Sequence, residues 1–241
     1  MATVEELEGL YQQVELVKGP GDPRTGRLCV MSFVAFLAGE GHSDRPATAS
    51  PLIREFAVRV NDAMPTRMRQ NLKPFVPRIL GTNDGCDAMR SAALRRIAEK
   101  ELLPRVSCDF SGLDQRWNWR RKEQLSELKA QLAQLLAAPE AEDDSYVQKK
   151  LAAFAAGFLC WCAGEGENPN VRSWYWMKAI DVLDRLCDIR ASQAVPEPSE
   201  TRIAELRQVL SRSGPAASAR GLWGRAITSV SRTLAGSHNT N

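Results

Sequence analysis

Ser-Phe-Val-Ala-Phe-Leu-Ala-Gly-Glu-Gly-His-Ser-Asp-Arg-Pro, residues 32–46, joins an apolar segment to a glycine and then to a polar loop. Residues 27–38 are apolar nearly all round, the pattern of a helix buried on several sides. Gly39 or Gly41 supplies the left-handed backbone that ends such a helix. Glu40, His42, Ser43 and Asp44 follow at once, four side chains able to bond, titrate or hold a metal. An echo comes 125 positions later, where residues 157–166 read Gly-Phe-Leu-Cys-Trp-Cys-Ala-Gly-Glu-Gly. Gly164 or Gly166 suits the same stop, so two independent helix ends compete with duplication of a hairpin as the explanation.

The helical period recurs on both sides of this stretch. Residues 3–17 place Val4, Leu7, Leu10, Tyr11, Val14 and Val17 on one stripe, and the Gly-Pro-Gly-Asp-Pro cluster at 19–23 reads as a turn. Ser50-Pro51 is an N-cap followed by a first-turn proline and opens a helix to about Ala63. A short helix starts near Pro65 and is limited by Pro74 and Pro77. Asp84 or Gly85 opens a helix to about Leu103 that carries Arg90, Arg95, Arg96 and Lys100. A loop with Pro104 and Gly112 precedes a long helix over roughly Asp114–Ala137. Three more helices are expected near 145–163, 171–191 and 199–212. No alternating strand pattern emerges, so the expected fold is all-α: a multi-helix bundle with a flexible C-terminal tail. The bundle spans residues 1–212, with the proline-marked acidic segment 138–144 as the candidate subdivision; residues 213–241 form a linker and a basic amphipathic tail.

Composition fits a folded chain, with 44% apolar and 25% charged residues in 241. The apolar run Cys29–Ala38 is half of the roughly 20 residues needed to span a bilayer. The first residues lack the basic start and apolar core of a signal peptide, which points to the cytoplasm. Six dispersed cysteines then read as reduced, structural thiols; Cys160-Trp-Cys162 is too tight for the usual metal or redox spacing. Net charge is +3 but unevenly placed: −4 over residues 1–44, +8 over 45–122, −6 over 123–206, and five arginines with no acid thereafter. Opposed zones within one chain suit docking between copies.

Glu40-Gly-His42-Ser43-Asp44 has two readings. As an active site, His42 is a base or metal ligand oriented by Glu40 or Asp44, in a small hydrolase or metal-dependent enzyme. As structure, Ser43 or Asp44 caps backbone donors and Glu40 satisfies a neighbouring arginine. His238 is the only other histidine, so a multi-histidine zinc site is excluded, and no phosphate-loop, dinucleotide or hydrolase motif occurs. No metal and no cofactor is expected. The structural reading takes precedence, and enzyme status is unsupported.

At this segment the chain resembles a family of uncharacterised bacterial proteins, mostly actinobacterial. Their pattern is Met-Glu, an apolar run, Leu-Ala-Gly-Glu-x-x-Ser-Asp-His-Pro-x-Cys, then a helix ending in Asn-Asp. Met31, Leu37 to Glu40, Ser43-Asp44, Pro46 and Asn61-Asp62 match, within residues 29–62. Ser32 stands where the family has glutamate, Arg45 where it has histidine, and Thr48 where it has cysteine. The resemblance brings no established activity, and those departures remove any ligand set built on that histidine and cysteine. It implies that Glu40, Ser43 and Asp44 serve one helix start and that Asn61-Asp62 close the next helix.

Three further segments are candidate contacts. Arg116, Trp117, Trp119, Arg120, Arg121 and Lys122 combine bases with large rings, as single-stranded nucleic acid binders do, and the basic region 90–122 is the nucleic-acid candidate. The alternative is a salt-bridged helix with one tryptophan in the core. Ser173-Trp174-Tyr175-Trp176-Met177 reads as a helix start capped by Ser173 with packed aromatics, or as a partner hot spot. In the tail, Leu222, Trp223, Ala226, Ile227, Val230 and Leu234 share a stripe beside Arg220, Arg225 and Arg232. That segment suits the chain's own acidic region, a protein partner or a membrane surface. The leading functional reading is a non-catalytic protein-interaction or assembly protein.

Overall fold

A computed structural model describes residues 4–111, 119–138, 145–191 and 197–213. The chain enters through helix α1 (Val4–Gln13), which ends before Val14 rather than at Val17. Three two-residue strands replace the expected helix end and simple turn: β1 (Glu15–Leu16), β2 (Gly21–Asp22) and β3 (Arg27–Leu28). β3 lies between the others, parallel to β1 and antiparallel to β2. Strands this short carry no alternation that could betray them. Glycine makes the close pairing feasible: a Cβ on Gly21 would lie 2.1 Å from the Arg27 carbonyl oxygen. The free edge of β1 is covered by Gln70, whose amide accepts from Leu16 N (3.0 Å) and donates to Leu16 O (2.9 Å).

Helix α2 (Val30–Leu37) is buried at all eight positions, as its apolar circumference requires. Cys29 caps its start, with Sγ accepting from Ser32 N at 3.2 Å. Its end is a Schellman motif: Gly39 N donates to Phe36 O (3.1 Å), Glu40 N to Ala35 O (3.0 Å), and Gly39 has φ +76°. Ser50 caps α3 (Pro51–Ala63) through Ile53 N, so that reading of the sequence holds. Asn61 and Asp62 do more than close α3. Asn61 Oδ1 accepts from Val30 N, its Nδ2 donates to Val17 O, and Asp62 Oδ1 accepts from Gly19 N.

Helix α4 (Thr66–Arg69), a 3-10 turn over Gln70–Phe75 and α5 (Val76–Ile79) follow. Helix α6 (Asp87–Ile97) passes through a π-helical turn, Ala98–Leu102, into α7 (Leu103–Asp109). Pro104 therefore lies inside a continuous helical rod, not in a loop. It has no N–H for the carbonyl four residues back and its ring crowds that carbonyl. The wider turn before it, with Leu103 N donating to Ala98 O, accommodates both defects. Helices α8 (Trp119–Ala137), α9 (Ser145–Glu165), α10 (Pro169–Asp188) and α11 (Glu200–Ser213) complete the described chain. The fold is all-α apart from the small sheet.

Helix α9 is central, with α3, α6, α8 and α10 packed on it, and α3 makes the most extensive of these contacts. Its burial follows from its sequence, through Leu151, Ala152, Ala155, Phe158, Leu159, Cys162 and Ala163. One apolar core runs from Leu10 to Leu206 among the described residues. Helices α8 and α9 share it through Leu132 and Leu151; most of the candidate subdivision at 138–144, and the tail after Ser213, lie outside the described residues. Helix α11 is lightly attached. It packs on α1, α2 and the 3-10 turn Pro23–Thr25, and its fully covered apolar side chains are Ile203 and Leu206.

An ion cluster forms around Arg90, whose side chain is fully buried. Arg90 Nη1 and Nη2 reach the two Asp84 oxygens at 2.8 and 2.9 Å, and Nη1 reaches Asp87 Oδ1 at 2.9 Å. The same guanidinium donates to Thr82 O, Leu186 O and Ile189 O. Burial works against the Asp84 carboxylate, but bonds from Arg90 and the Cys86 and Ala191 amides outweigh it and hold its pKa below the aspartate norm. Its stabilising share is therefore present above the unfolded-state value, about 3.9, and is lost as pH falls through the folded value. Arg90→Ala should cost about 3–5 kcal/mol in urea unfolding, the penalty for stranding buried carboxylates. Asp84→Asn should flatten the loss of stability between neutral pH and strong acid relative to wild type.

Candidate functional site

The loop after α2 is built to hold itself. Glu40 Oε2 accepts from Ala47 N at 2.7 Å and Oε1 from Thr48 N at 3.0 Å, so both oxygens close the 46–49 turn. The sequence reading had Glu40 satisfying an arginine; the backbone takes that place. Thr48 passes the link on, its Oγ1 accepting from Gly81 N (3.1 Å) and its carbonyl from Asn83 N (3.0 Å). Ser43 Oγ accepts from Arg45 N at 3.0 Å, as a capping serine does. His42 Nε2 lies 3.1 Å from Gly21 O, a contact in which the ring nitrogen donates. Asp44 sends its charge toward Cys29, whose thiol is raised by burial first and by that carboxylate last.

Glu40 and His42 thus point to different places, a turn and the carbonyl of β2. They share no hydrogen bond, and no cluster of three His, Cys, Asp or Glu suited to a metal occurs among the described residues. Burial raises the thiols of Cys160 and Cys187 to about 12 and raises Cys162 as well, which makes these three unreactive. All six cysteines are free.

The two Ala-Gly-Glu-Gly segments have different conformations. The first ends α2 at Gly39. The second stays helical through Gly164 to Glu165, and neither Gly164 nor Gly166 has a positive φ. Gly166 is needed for space instead, since a Cβ there would lie 3.0 Å from Val171 Cγ1 and from Arg172 Cγ. Glu165 pairs with Arg121 Nε at 3.1 Å, whereas Glu40 holds amides. Independent helix ends account for the echo better than a duplicated hairpin.

Of the aromatic–basic segment, Arg116 and Trp117 lie outside the described residues. Trp119 is 67% exposed at the start of α8, with the Arg120 guanidinium 5.5 Å from its ring centre. Arg121 is held to the end of α9, and Lys122 is half-buried. Leu222, Trp223, Arg225 and Ile227, with the whole tail stripe, also lie outside the described residues. The second aromatic segment belongs to the core. Tyr175 is fully buried and Trp176 nearly so, and Trp174 meets Tyr175 edge-on at 4.9 Å. Ser173 is not its cap: α10 opens four residues before it at Pro169, with Asn168 Oδ1 accepting from Val171 N. Trp174 also lies between two cations, Arg105 at 5.0 Å and Lys178 at 5.9 Å.

Sequence reasoning missed the Arg90 cluster, and also a surface cluster in which Lys178 and Arg185 of α10 bind Glu101 in the π turn. Burial opposes the Glu101 carboxylate, yet bonds from Lys178 and Arg185 prevail and lower its pKa. Beside it lies a cavity of about 10 Å³ lined by Leu94, Ile97, Leu102, Leu159 and the Lys178 stem. That is about the room one water needs, and its lining is too apolar to hold one well. No family model, curated protein or solved structure matches the chain.

These geometries predict opposite signs for two similar substitutions. Gly39→Ala should destabilise by about 1–2 kcal/mol, the strain of a left-handed non-glycine residue. Gly164→Ala should stabilise by a few tenths to about 1 kcal/mol, because its Cβ position is open and helical. Glu40→Ala should cost about 1–3 kcal/mol by stripping two amides of their acceptor. His42→Ala, at an exposed position, should stay within about 0.5 kcal/mol of wild type. Urea melts of the four variants check all of this.

Proposed function

We propose that the protein is a non-catalytic, cytoplasmic interaction or assembly protein that works through charged helical surfaces and its basic C-terminal segment. The observation that carries this reading is Trp119. A tryptophan 67% exposed at a helix start, backed by Arg120, has the composition of an interface hot spot. The loop with the sequence pattern of an active site supports it from the other side, because both Glu40 oxygens are used by backbone amides. Opposed charge zones favour a second copy of the chain as one partner. The tail residues Leu222, Trp223, Arg225 and Ile227 supply a second contact element in this reading.

The runner-up is single-stranded nucleic acid. The same pair favours it, since an exposed indole flanked by a guanidinium can stack a base while neighbouring bases meet phosphate. A metal-dependent enzyme at Glu40, His42 and Asp44 has no comparable support.

Native mass spectrometry of the full chain over a dilution series tests the reading. A bare homo-oligomer is expected, and Trp119→Ala should weaken it by about thirtyfold, the roughly 2 kcal/mol of a hot-spot tryptophan. A monomer at every concentration that also captures no protein partner would overturn it. A retained oligonucleotide, released by salt, would install the runner-up instead.

A further inference from the structure

Helix α9 has neighbours on most sides and an open strip on one. Ala155 and Leu159 meet α6 and α10 around the small cavity. On one flank Glu165 pairs with Arg121 of α8. On the other, Arg59 of α3 lies near Cys160, where it opposes the rise that burial gives the thiol. At about 100° per residue, Tyr146, Lys150, Ala153, Gly157 and Gly164 fall within about 60° of one another, opposite Ala155 and between those flanks. Tyr146, Lys150 and Gly164 are exposed, and Ala153 and Gly157 are half-buried. No atom of the described residues would lie within 4 Å of a Cβ at Gly157 or Gly164. Glycine weakens a helix relative to alanine, and the fold itself needs neither of these two. They suit a surface where a second helix comes close, since the side chains at a contact set how near two helix axes can approach.

The ends of the strip say which helix that is. Tyr146, 69% exposed, stands at the start of α9. Trp119, 67% exposed, stands by its end, because Arg121 two residues on is bound to Glu165. Charge on α9 is divided in the same way: its bases, Lys149 and Lys150, lie near the start, and its acids are Glu165 and, just past the helix, Glu167. A second α9 laid antiparallel over Gly157 opposes these ends. Counted outward from that glycine, Lys150 meets the copy's Gly164, beside its Glu165, and Tyr146 meets the copy's Asn168, at the Trp119 end. A parallel copy would set base on base and acid on acid. The flanks place no block of one sign against this: Arg121 is held by Glu165, Arg120 lies over Trp119, and Arg54 and Arg59 of α3 bracket Glu55. Arg172, exposed at the same end, falls beyond the copy's Ser145 by the same count.

We propose that two copies of the chain associate through this strip, with their α9 helices antiparallel and crossing at Gly157 on a two-fold axis. One patch then serves both copies, Gly157 and Gly164 let the helices close, and each Tyr146 packs toward the other copy's Trp119. This pairing rests on the assembly reading above and gives it a face.

Native mass spectrometry over a dilution series, with urea melts of the same variants, tests the pairing. Wild type is expected as a dimer. Gly157→Leu should raise its dissociation constant at least about tenfold, the effect of forcing a large side chain into a close contact. Melted where the chain is monomeric, the same variant should lose no stability, because the position is open and helical. Lys150→Glu should weaken the dimer by about fivefold, and Glu167→Lys added to it should restore the wild-type constant. A dimer indifferent to Gly157→Leu would overturn the pairing and leave the assembly reading standing. So would a Lys150→Glu variant that associates like wild type, or one whose defect Glu167→Lys fails to repair. A chain monomeric at every concentration would overturn the pairing in any case, and the assembly reading with it only where no other protein is captured.

Discussion

One guanidinium, that of Arg90, is the point on which the helices are oriented. It takes both oxygens of Asp84 and, with Asp87, the negative charge that the core would otherwise refuse. Its other donors go to Leu186 O and Ile189 O, carbonyls at the end of α10 that have no helical partner, and to Thr82 O. Asp87 in turn accepts from Ser50 Oγ and Leu52 N at the start of α3. One cluster thus joins the positive start of α3 to an aspartate and the negative end of α10 to an arginine. Apolar residues of equal volume could match its stability. They would not supply the directed bonds by which this cluster ties three chain segments together.

The same device recurs wherever the backbone is irregular. Asn61 satisfies Val30 N and Val17 O, Gln70 covers the edge of β1, Arg69 collects Asn61 O and Met64 O, and Lys73 reaches Gln12 O. Arg95 does likewise for Leu135 O and Leu136 O at the end of α8. Burial lowers Lys73, yet the carbonyl keeps the ammonium where it is. Segments between helices here are short of partners of their own, and a long polar side chain from a neighbouring helix supplies them. Glu40, Asn61 and Asp62 each have such a task. Their pattern needs no chemistry to explain it.

This division explains what could be read from the sequence. The long helices were legible because periodicity and caps act locally: Ser50-Pro51 opens α3, and α9, α10 and α11 fall close to their expected places. The sheet was not, since two-residue strands have no period. Pro104 suggested a loop because the rule for proline assumes α-helical spacing, and one π turn lifts that assumption. Arg90 and Arg95 stood in the sequence only as charges on a helix that also carries Arg96 and Lys100. Arg90 has Asp84 and Asp87 close by, but the carbonyls that fix the two arginines in the core, Leu135 O and Leu136 O for one and Leu186 O and Ile189 O for the other, lie 40 to 99 residues away. The candidate site is a different case. Glu40 and His42 are two positions apart in sequence, but each is bound to a different element.

Function in such a molecule is best sought where the structure is least over-determined. The centre is fixed twice, by the α9 core and by the Arg90 cluster, and any motion there would expose charge as well as apolar surface. Helix α11 is fixed by two fully buried side chains and a few contacts at its start, so it can open at a small fraction of the global cost. Trp119 is constrained still less, resting on Arg120 rather than in the core. Burying an indole against a partner recovers hydrophobic free energy that this fold leaves unused. The physical asymmetry between a doubly fixed centre and a lightly held helix therefore places the room for motion at the periphery of the fold.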